Sequence, residues 1–456
     1  MARVDMSVTP YWELTFDAQG DVDGRERDEL LREVVRRKVH DVVVFAHGWN
    51  NDRSGATRLY SRFFEPVPEL APHARLGYVG VIWPSMRFSD EPIPDLPAPL
   101  AAAAPANPAA EVPAAARPVL DKGTRHALVE RFPGRASVVE QLARLLEQQP
   151  DEGASLEEFG RLVRLLVEER PQRPPGTFAA DAVTDGVPGG DPEMLLGDTV
   201  RVCAEFAGAL AEIGAPATAD HSFAVPGLWD GAHELLRQAT YYAMKRRAGT
   251  VGEHGLGPAI GQLAAAAPDV RVHLVGHSFG ARLVSFALRG LPESVHAVKS
   301  VTLLQAAFSH YAFAARLPYD ARASGVLYGR QHRIDGPLVC CYSRFDSALG
   351  TIYPLASRIA GDARSAVGEG AAGIGIGIDR VLGARWGALG HDGVQAVEGT
   401  RSLGLADVVR AKLPTTGCVN IDAAPVVRRG GPPTGAHNDI CHRELAQVVL
   451  AAGRIR

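Results

Sequence analysis

A serine, an aspartate and a histidine in the second half of the chain have side chains that suit nucleophilic chemistry. Ser278 is the central residue of 276–280 (Gly-His-Ser-Phe-Gly), and Asp346 and His437 follow it in that order. A serine hydroxyl is a poor nucleophile at neutral pH, so it needs a base to remove its proton and a carboxylate to orient that base. We therefore predict that Ser278 attacks a carbonyl carbon, with His437 as its base and Asp346 as the orienting acid.

Three aspartates are candidates for the orienting acid. Asp346 follows the apolar run 338–342, and the acid is expected in a loop after a late strand. Asp422 directly follows the run 417–421 and is the alternative, whereas Asp335 precedes its predicted strand and lies at the wrong end. We therefore favour Asp346 over the other two.

Several histidines are candidates for the base and for contacts with a substrate. His437 lies in a predicted loop just before an apolar C-terminal helix, which favours it as the base. His442 falls inside that predicted helix, where a histidine is more often a satisfied surface or core group. We also predict that His277, beside the nucleophile, and His310, after the run 298–304, contact substrate. The alternatives are that His277 packs the turn and that His310 merely caps the pocket.

Two backbone N–H groups are candidates for stabilising the oxyanion that forms when a nucleophile attacks a carbonyl. One should come from Phe279, the residue after the serine. The other should come from Trp49, because Gly48 before it permits a close approach of the backbone. His47 would then brace this turn by hydrogen bonds and would not act as the base. An ordinary turn at the end of a strand is the alternative for this segment.

The serine needs a strand, a tight turn and a helix to hold it. Apolar residues in 270–275 predict a short buried strand, and apolar residues at helical spacing follow in 281–287. A serine at the apex of such a turn is held in a strained conformation, and glycines two residues before and after it let the strand and helix approach. A Gly-x-Ser-x-Gly match alone is weak evidence, so the prediction depends on this context.

Other apolar runs predict the sheet that carries this unit. Runs typical of buried strands lie at 41–46, 76–83, 298–304, 338–342 and 417–421, and an alternating run typical of an edge strand lies at 11–16. Helical patterns lie between several of these runs. The alternation predicts an α/β fold, with a mostly parallel sheet flanked by helices on both faces.

A long stretch between two predicted sheet strands has its own organisation. We predict that residues 85–225 form a mostly helical insertion, with a proline- and alanine-rich linker at 91–118. Residues 1–84 and 226–456 then form the N-terminal and C-terminal parts of one core. An insertion at this point usually covers the site, and a peripheral helical bundle without catalytic contacts is the alternative.

Local motifs suggest the structure of three further segments. Ser137 with Glu140, and Ser155 with Glu158, match capping boxes and predict two helix starts within the insertion. The run 368–377 consists largely of glycine, alanine and isoleucine. It is either a mobile apolar flap over the pocket or a buried glycine-rich turn.

Composition excludes some classes of function. The 456 residues carry a formal net charge of −4 with both signs interspersed, which does not favour nucleic acid or an anionic membrane as a partner. The sequence shows neither a signal-peptide pattern nor a run long enough to span a membrane, so we expect a cytoplasmic protein. The five cysteines lack metal-ligand spacing, and we expect neither a disulfide framework nor a metal site.

Together the motifs resemble the α/β-hydrolase superfamily. The resemblance is to members, including many lipases and esterases, whose oxyanion turn is a single His-Gly followed by a bulky residue, here 47–49. It covers about 41–83 and 270–451, and it implies a cofactor-free serine hydrolase. We expect cleavage of a carboxylic ester, with an apolar small molecule as the acyl substrate. A thioesterase, a peptidase, an acyltransferase and a non-catalytic binding protein with the same fold are the alternatives.

Overall fold

A parallel sheet forms the centre of the protein. A computed structural model describes residues 6–49, 51–86, 88, 119–168, 178–185, 187–188, 193–212, 227–352, 387–410, 413–431 and 435–456. Within these residues, eight strands form one sheet in which each neighbouring pair is parallel. The predicted α/β class with a mostly parallel sheet is therefore confirmed.

The strands of this sheet include all seven that the sequence predicts. They are β1 (Tyr11–Thr15), β2 (Asp41–Ala46), β3 (Leu76–Ile82), β6 (Arg271–His277), β7 (Val298–Leu304), β9 (Pro337–Tyr342), β10 (Arg401–Gly404) and β11 (Gly417–Asp422). Their spatial order is β1-β3-β2-β6-β7-β9-β11-β10, which places β1 at an edge, as predicted. A second, antiparallel sheet consists of β4 (Ala182–Thr184), β5 (Val187–Pro188) and β8 (Ala323–Gly325).

Helices occupy much of the chain between the strands. The α-helices are α1 (Gly24–Arg36), α2 (Arg53–Phe64), α3 (Val67–Leu70), α4 (Lys122–Arg131), α5 (Ala136–Gln148), α6 (Gly153–Val167), α7 (Glu193–Leu196), α8 (Thr199–Glu212), α9 (Leu228–Thr250), α10 (Gly257–Ala266), α11 (Phe279–Gly290), α12 (Leu389–Asp392), α13 (Leu405–Arg410) and α14 (Arg443–Gly453). Single π-helical turns cover Val251–Leu256 and Ala348–Ile352, and a 3-10 turn covers Arg330–Arg333. Helices α4 to α10 come between β3 and β6 along the chain.

Two apolar cores lie on opposite faces of the sheet. Val42 and Val44 of β2 belong to one core, which includes residues of α9 and α11. Val43 and Phe45 belong to the other, which includes residues of α2 and α14. Successive side chains of a strand point to opposite faces, so a strand buried on both faces reads as one continuous apolar run.

The two predicted helices with capping boxes exist, but their starts are wrong. The N-cap residues are Arg135 for α5 and Glu152 for α6, and neither side chain caps its helix. Ser137 and Ser155 therefore lie inside the first turns. The stripes of buried leucines determine where these helices form, and the predicted capping boxes do not.

A buried ion pair joins the chain before β4 to helix α11. Asp181 accepts a hydrogen bond from the guanidinium of Arg282 and binds Lys245 Nζ at 2.9 Å. The same guanidinium donates to the backbone carbonyls of Phe178 and Ala180 at 2.7 and 2.8 Å. Arg282 is completely buried near the start of α11. These contacts anchor the segment to the helix that follows Ser278. The predicted linker 91–118 and the glycine-rich run 368–377 lie outside the described residues.

Candidate active site

Ser278 occupies a tight turn between β6 and α11. Its backbone has φ 55° and ψ −119°, in the half of conformational space that non-glycine residues rarely adopt. A β-carbon at Gly276 would lie 2.4 Å from Cα of Ala281, and one at Gly280 would lie 2.0 Å from the carbonyl oxygen of Ala46. Strand and helix thus approach to distances that only glycine permits, and this packing holds the serine in its strained conformation.

The three side chains selected from the sequence form one hydrogen-bonded chain. Ser278 Oγ lies 2.9 Å from Nε2 of His437, and Nδ1 of His437 lies 2.8 Å from Oδ2 of Asp346. The carboxylate of Asp346 is completely buried, and its other oxygen accepts the backbone N–H of Leu349 at 3.1 Å. Because a carboxylate only accepts, Nδ1 of His437 carries the proton, and its Nε2 is free to accept the hydroxyl proton of Ser278.

The alternative acids and the alternative base have other partners. Asp422 is the last residue of β11, and its carboxylate accepts the backbone N–H of Ala424 at 2.9 Å. Asp335 forms an exposed ion pair with a lysine. His442 is the N-cap residue of α14 and binds Asp439 at 2.9 Å, so the prediction that it lies inside the helix is wrong by one residue.

The turn after β2 approaches the serine closely. A β-carbon at Gly48 would lie 2.7 Å from Cβ of Ser278. The carbonyl oxygen of Gly48 accepts a hydrogen bond from Nδ1 of His47 at 2.9 Å and a longer one from Asn51 at 3.4 Å. In a trans peptide the carbonyl and the N–H point in opposite directions. The N–H of Trp49 is therefore directed away from His47.

Phe279 supplies the other predicted N–H. It is the first residue of α11, and the first N–H groups of a helix have no partner within the helix. These groups also lie at the positive end of the helix dipole. The N-terminus of α11 is therefore suited to bind a negative oxygen held beside Ser278.

His47, which directly follows β2, is held in place by ring stacking and by hydrogen bonds with neighbouring residues. Its ring stacks on Trp83 with an interplanar angle of 18°, and Trp83 Nε1 donates to the His47 carbonyl at 2.9 Å. Its backbone N–H donates to the hydroxyl of Tyr60 at 2.9 Å. Burial lowers the pKa of His47 to about 4, so the ring is neutral at pH 7. A neutral His47 braces the turn through its bond to Gly48.

The side chain of His277 contacts the backbone of His437. Its Nε2 donates to the carbonyl oxygen of His437 at 2.9 Å, and the residue is only 2 % exposed. Burial, followed by the nearby charge of His437, lowers the pKa of His277 to about 3. The side chain is thus engaged by the protein, and its contact with substrate stays a prediction.

His310, which is buried, belongs to a polar cluster after β7 whose other members are partly exposed. Its Nδ1 lies 3.0 Å from Oδ2 of Asp392, whose other oxygen lies 2.8 Å from Nδ1 of His391. Burial opposes the charge of Asp392, but the hydrogen bonds with the two histidines hold the pKa of that carboxyl below its ordinary value. Contact of His310 with substrate also stays a prediction.

An aromatic cluster at the turn after β2 has no signal in the sequence. The ring of Trp49 lies 5.4 Å from Tyr241, 6.0 Å from Phe88 and 6.5 Å from Phe279, measured between centroids. Tyr241 and Phe279 lie 4.5 Å apart. Tyr241 comes from α9, and a helix pattern by itself carries no signal of what that helix faces. The cluster gives the turn an apolar side.

A second Ser-His-Asp chain lies toward the other end of the same strands, and the sequence analysis missed it. Nδ1 of His273 lies 2.9 Å from Oγ of Ser300, and its Nε2 lies 2.8 Å from Oδ1 of Asp41. Both His273 and Ser300 are completely buried. In β6 and β7, His273 and Ser300 are direct partners in the sheet register. This chain therefore satisfies polar groups between strands and has no access to a substrate.

The described residues provide no evident site for a metal ion, because among them no three histidine, cysteine, aspartate or glutamate side chains are grouped as ligands. None of the described helices combines the length and apolar character needed to cross a membrane.

Comparison with protein-family models, with curated proteins and with solved structures found no match for the chain. Any assignment of function therefore depends on the geometry around Ser278.

Proposed function

We propose that the protein is a serine hydrolase that cleaves a carboxylic ester through an acyl-enzyme intermediate. The observation that carries the proposal is the hydrogen-bonded chain of Ser278, His437 and Asp346, with the serine on a strained turn between a strand and a helix. The arrangement has the features of a nucleophile elbow in an α/β-hydrolase. We extend the proposal to the fold, with residues 85–225 as a largely helical insertion between β3 and β6.

Each proposed step uses a group of the chain. Nε2 of His437 removes the proton of Ser278 as Oγ attacks the carbonyl carbon, and Asp346 orients the ring and stabilises its positive charge. The N–H groups of Trp49 and Phe279 stabilise the oxyanion. The protonated His437 then gives its proton to the leaving alcohol, which leaves an acyl group on the serine. Finally, His437 activates a water molecule that releases the acid and restores Ser278.

The surroundings favour an apolar acyl group. The rings of Trp49, Tyr241 and Phe279 lie together beside the proposed oxyanion donors. Aromatic side chains present a large apolar surface to a bound group.

A panel of p-nitrophenyl esters of increasing acyl length, beside thioester and peptide substrates, tests the proposed substrate class. Faster cleavage of a thioester or a peptide than of every ester would replace the ester proposal by the corresponding alternative.

A fluorophosphonate probe tests the proposed nucleophile. The probe reacts with an activated serine, so wild type should be labelled and Ser278→Ala should not. Ser300→Ala is the matched control, because Ser300 also lies in a chain with a histidine and an aspartate, here His273 and Asp41, but is completely buried, and this variant should still be labelled. An unlabelled wild type, or equal labelling of Ser278→Ala, contradicts the proposal.

A further inference from the structure

The loop that carries His437 is held from two directions. On the side of the acid, the backbone N–H of Ala436 donates to the carbonyl of Phe345 at 2.9 Å, next to Asp346. On the side of the nucleophile, the carbonyl of His437 itself accepts Nε2 of His277 at 2.9 Å. The loop has no regular secondary structure, so these contacts determine where its imidazole lies.

His277 is itself confined by its surroundings. It is the last residue of β6, it is 2 % exposed, and a β-carbon at Gly48 would lie 3.1 Å from its Nδ1. Its ring centroid lies 5.1 Å from that of His437. The ring therefore fills the space between the oxyanion turn and the base. Because this side chain contacts both of them, the position of strand β6 affects the position of the oxyanion turn and the position of the base.

The surroundings of His277 favour a neutral ring. A carbonyl oxygen only accepts, so Nε2 carries a proton. Nδ1 is buried, and within the described part of the chain it has no hydrogen-bond partner, so a second proton there would be left without an acceptor. A ring with one proton is neutral, and a neutral ring does not repel the positive charge that His437 gains during catalysis.

We propose that His277 is a positioning residue, which holds the backbone of His437 so that its Nε2 faces Ser278. This inference rests on the proposed function. It assigns to the residue before the nucleophile a role in placing the base, separate from contact with substrate. His277 acts only through His437 and takes no part in proton transfer.

Three variants test the role of the Nε2–H donor. His277→Leu removes the donor at similar volume, and kcat for an ester should fall roughly 10- to 100-fold, because small misplacements of a catalytic group have effects of this size. KM should change by less than about twofold, since no contact with substrate is lost. His277→Gln places an amide N–H at nearly the same reach and should restore most of kcat. His273→Gln, at another buried histidine of β6, should keep the wild-type kcat.

The outcomes separate this inference from the proposed function. Wild-type kcat in folded His277→Leu, equal losses in the leucine and glutamine variants, or an equal loss in His273→Gln would each overturn the positioning role. If His277→Leu does not fold, His277→Asn replaces it, because its amide is too short to reach the carbonyl and the same loss is expected. An unlabelled wild type in the fluorophosphonate experiment overturns both proposals, whereas a labelled wild type leaves the positioning role to be decided by kcat.

Discussion

Two serines of this chain lie 2.9 Å from a histidine nitrogen, and in both cases the other nitrogen of the ring lies 2.8 Å from an aspartate. The residue types around Ser278 and Ser300 are therefore alike, but the rings are reversed, because Nε2 of His437 faces Ser278 and Nδ1 of His273 faces Ser300. The backbones also differ, because Ser278 has a positive φ on a tight turn, whereas Ser300 lies within β7. Position in the fold and orientation of the ring distinguish the candidate nucleophile from a structural serine, and the residue types do not.

The role of Asp346 leads to a prediction about its amide variant. Asp346→Asn keeps the shape but offers an N–H to Nδ1 of His437, which favours the wrong tautomer of the ring. If the proposed function is correct, we expect kcat for an ester to fall about 10⁴-fold, the loss that this substitution causes in a Ser-His-Asp triad. Steady-state kinetics at saturating substrate measures the loss.

Asp422→Asn is the control for this prediction. Asp422 follows a neighbouring strand of the sheet, but its carboxylate contacts the backbone of Ala424 and not the base. Its variant should keep the wild-type kcat. If Asp422→Asn were inactive and Asp346→Asn active, the acid would be assigned incorrectly.

Sequence position predicted the hydrogen-bonded chain of Ser278, His437 and Asp346 better than it predicted the contacts that support this chain. Ser278, Asp346 and His437 each follow or precede a strongly patterned element, so their positions were predictable. The bond between His277 and His437 joins residues 160 positions apart, and no local pattern encodes it. The same is true of Tyr241, whose helix could face either solvent or the site.

At the scale of elements, continuous apolar runs were predicted more accurately than short exposed strands. The predicted run 298–304 is identical to β7, because its residues are almost all buried. Strand β10 was missed, since its residues are largely exposed and carry no alternation of apolar and polar residues. Strands β4, β5 and β8 have only two or three residues each, which is too short for a periodic signal.

The turn after β2 gives a prediction at this scale. In Gly48→Ala the new β-carbon would meet Cβ of Ser278 at 2.7 Å, so the turn must move and carry the N–H of Trp49 with it. We expect kcat and kcat/KM to fall together by roughly 10²- to 10³-fold, the usual effect of losing one oxyanion donor.

The control for the turn is a glycine with open space around it. A β-carbon at Gly153, the first residue of α6, meets no atom within 4 Å. Gly153→Ala should therefore keep both kcat and the thermal unfolding temperature. Full activity in folded Gly48→Ala would show that the Trp49 N–H does not contribute.

For the whole molecule, the buried histidines couple stability to pH. The pKa of His47 is lowered to about 4 and that of His277 to about 3, in both cases chiefly by burial. In the unfolded chain both would take up protons below about pH 6.5. The unfolded state then binds more protons than the folded state, so the free energy of unfolding decreases as the pH falls below about 6.5.

His277→Gln should make this dependence less steep. Each such histidine contributes up to about 1.4 kcal/mol per pH unit between its unfolded and folded pKa values. We expect the slope of unfolding free energy against pH to decrease by about this amount between about pH 6 and pH 4. Urea unfolding at several pH values measures the slope.

The exposed His73 provides the comparison for this measurement. Its ring meets solvent in both the folded and the unfolded chain, so His73→Gln should keep the wild-type slope. Identical slopes in wild type and His277→Gln would mean that His277 takes up a proton in the folded state over the same pH range.

The buried ion pair between Arg282 and Asp181 limits which parts of the chain can be deleted. A chain that joined β3 directly to β6 would keep Arg282 and lose Asp181, together with the carbonyls of Phe178 and Ala180. The guanidinium of Arg282 would then lose the carboxylate and both carbonyls that it binds. In the intact chain, where Arg282 stays buried, removal of the carboxylate alone should destabilise the protein by about 3–5 kcal/mol.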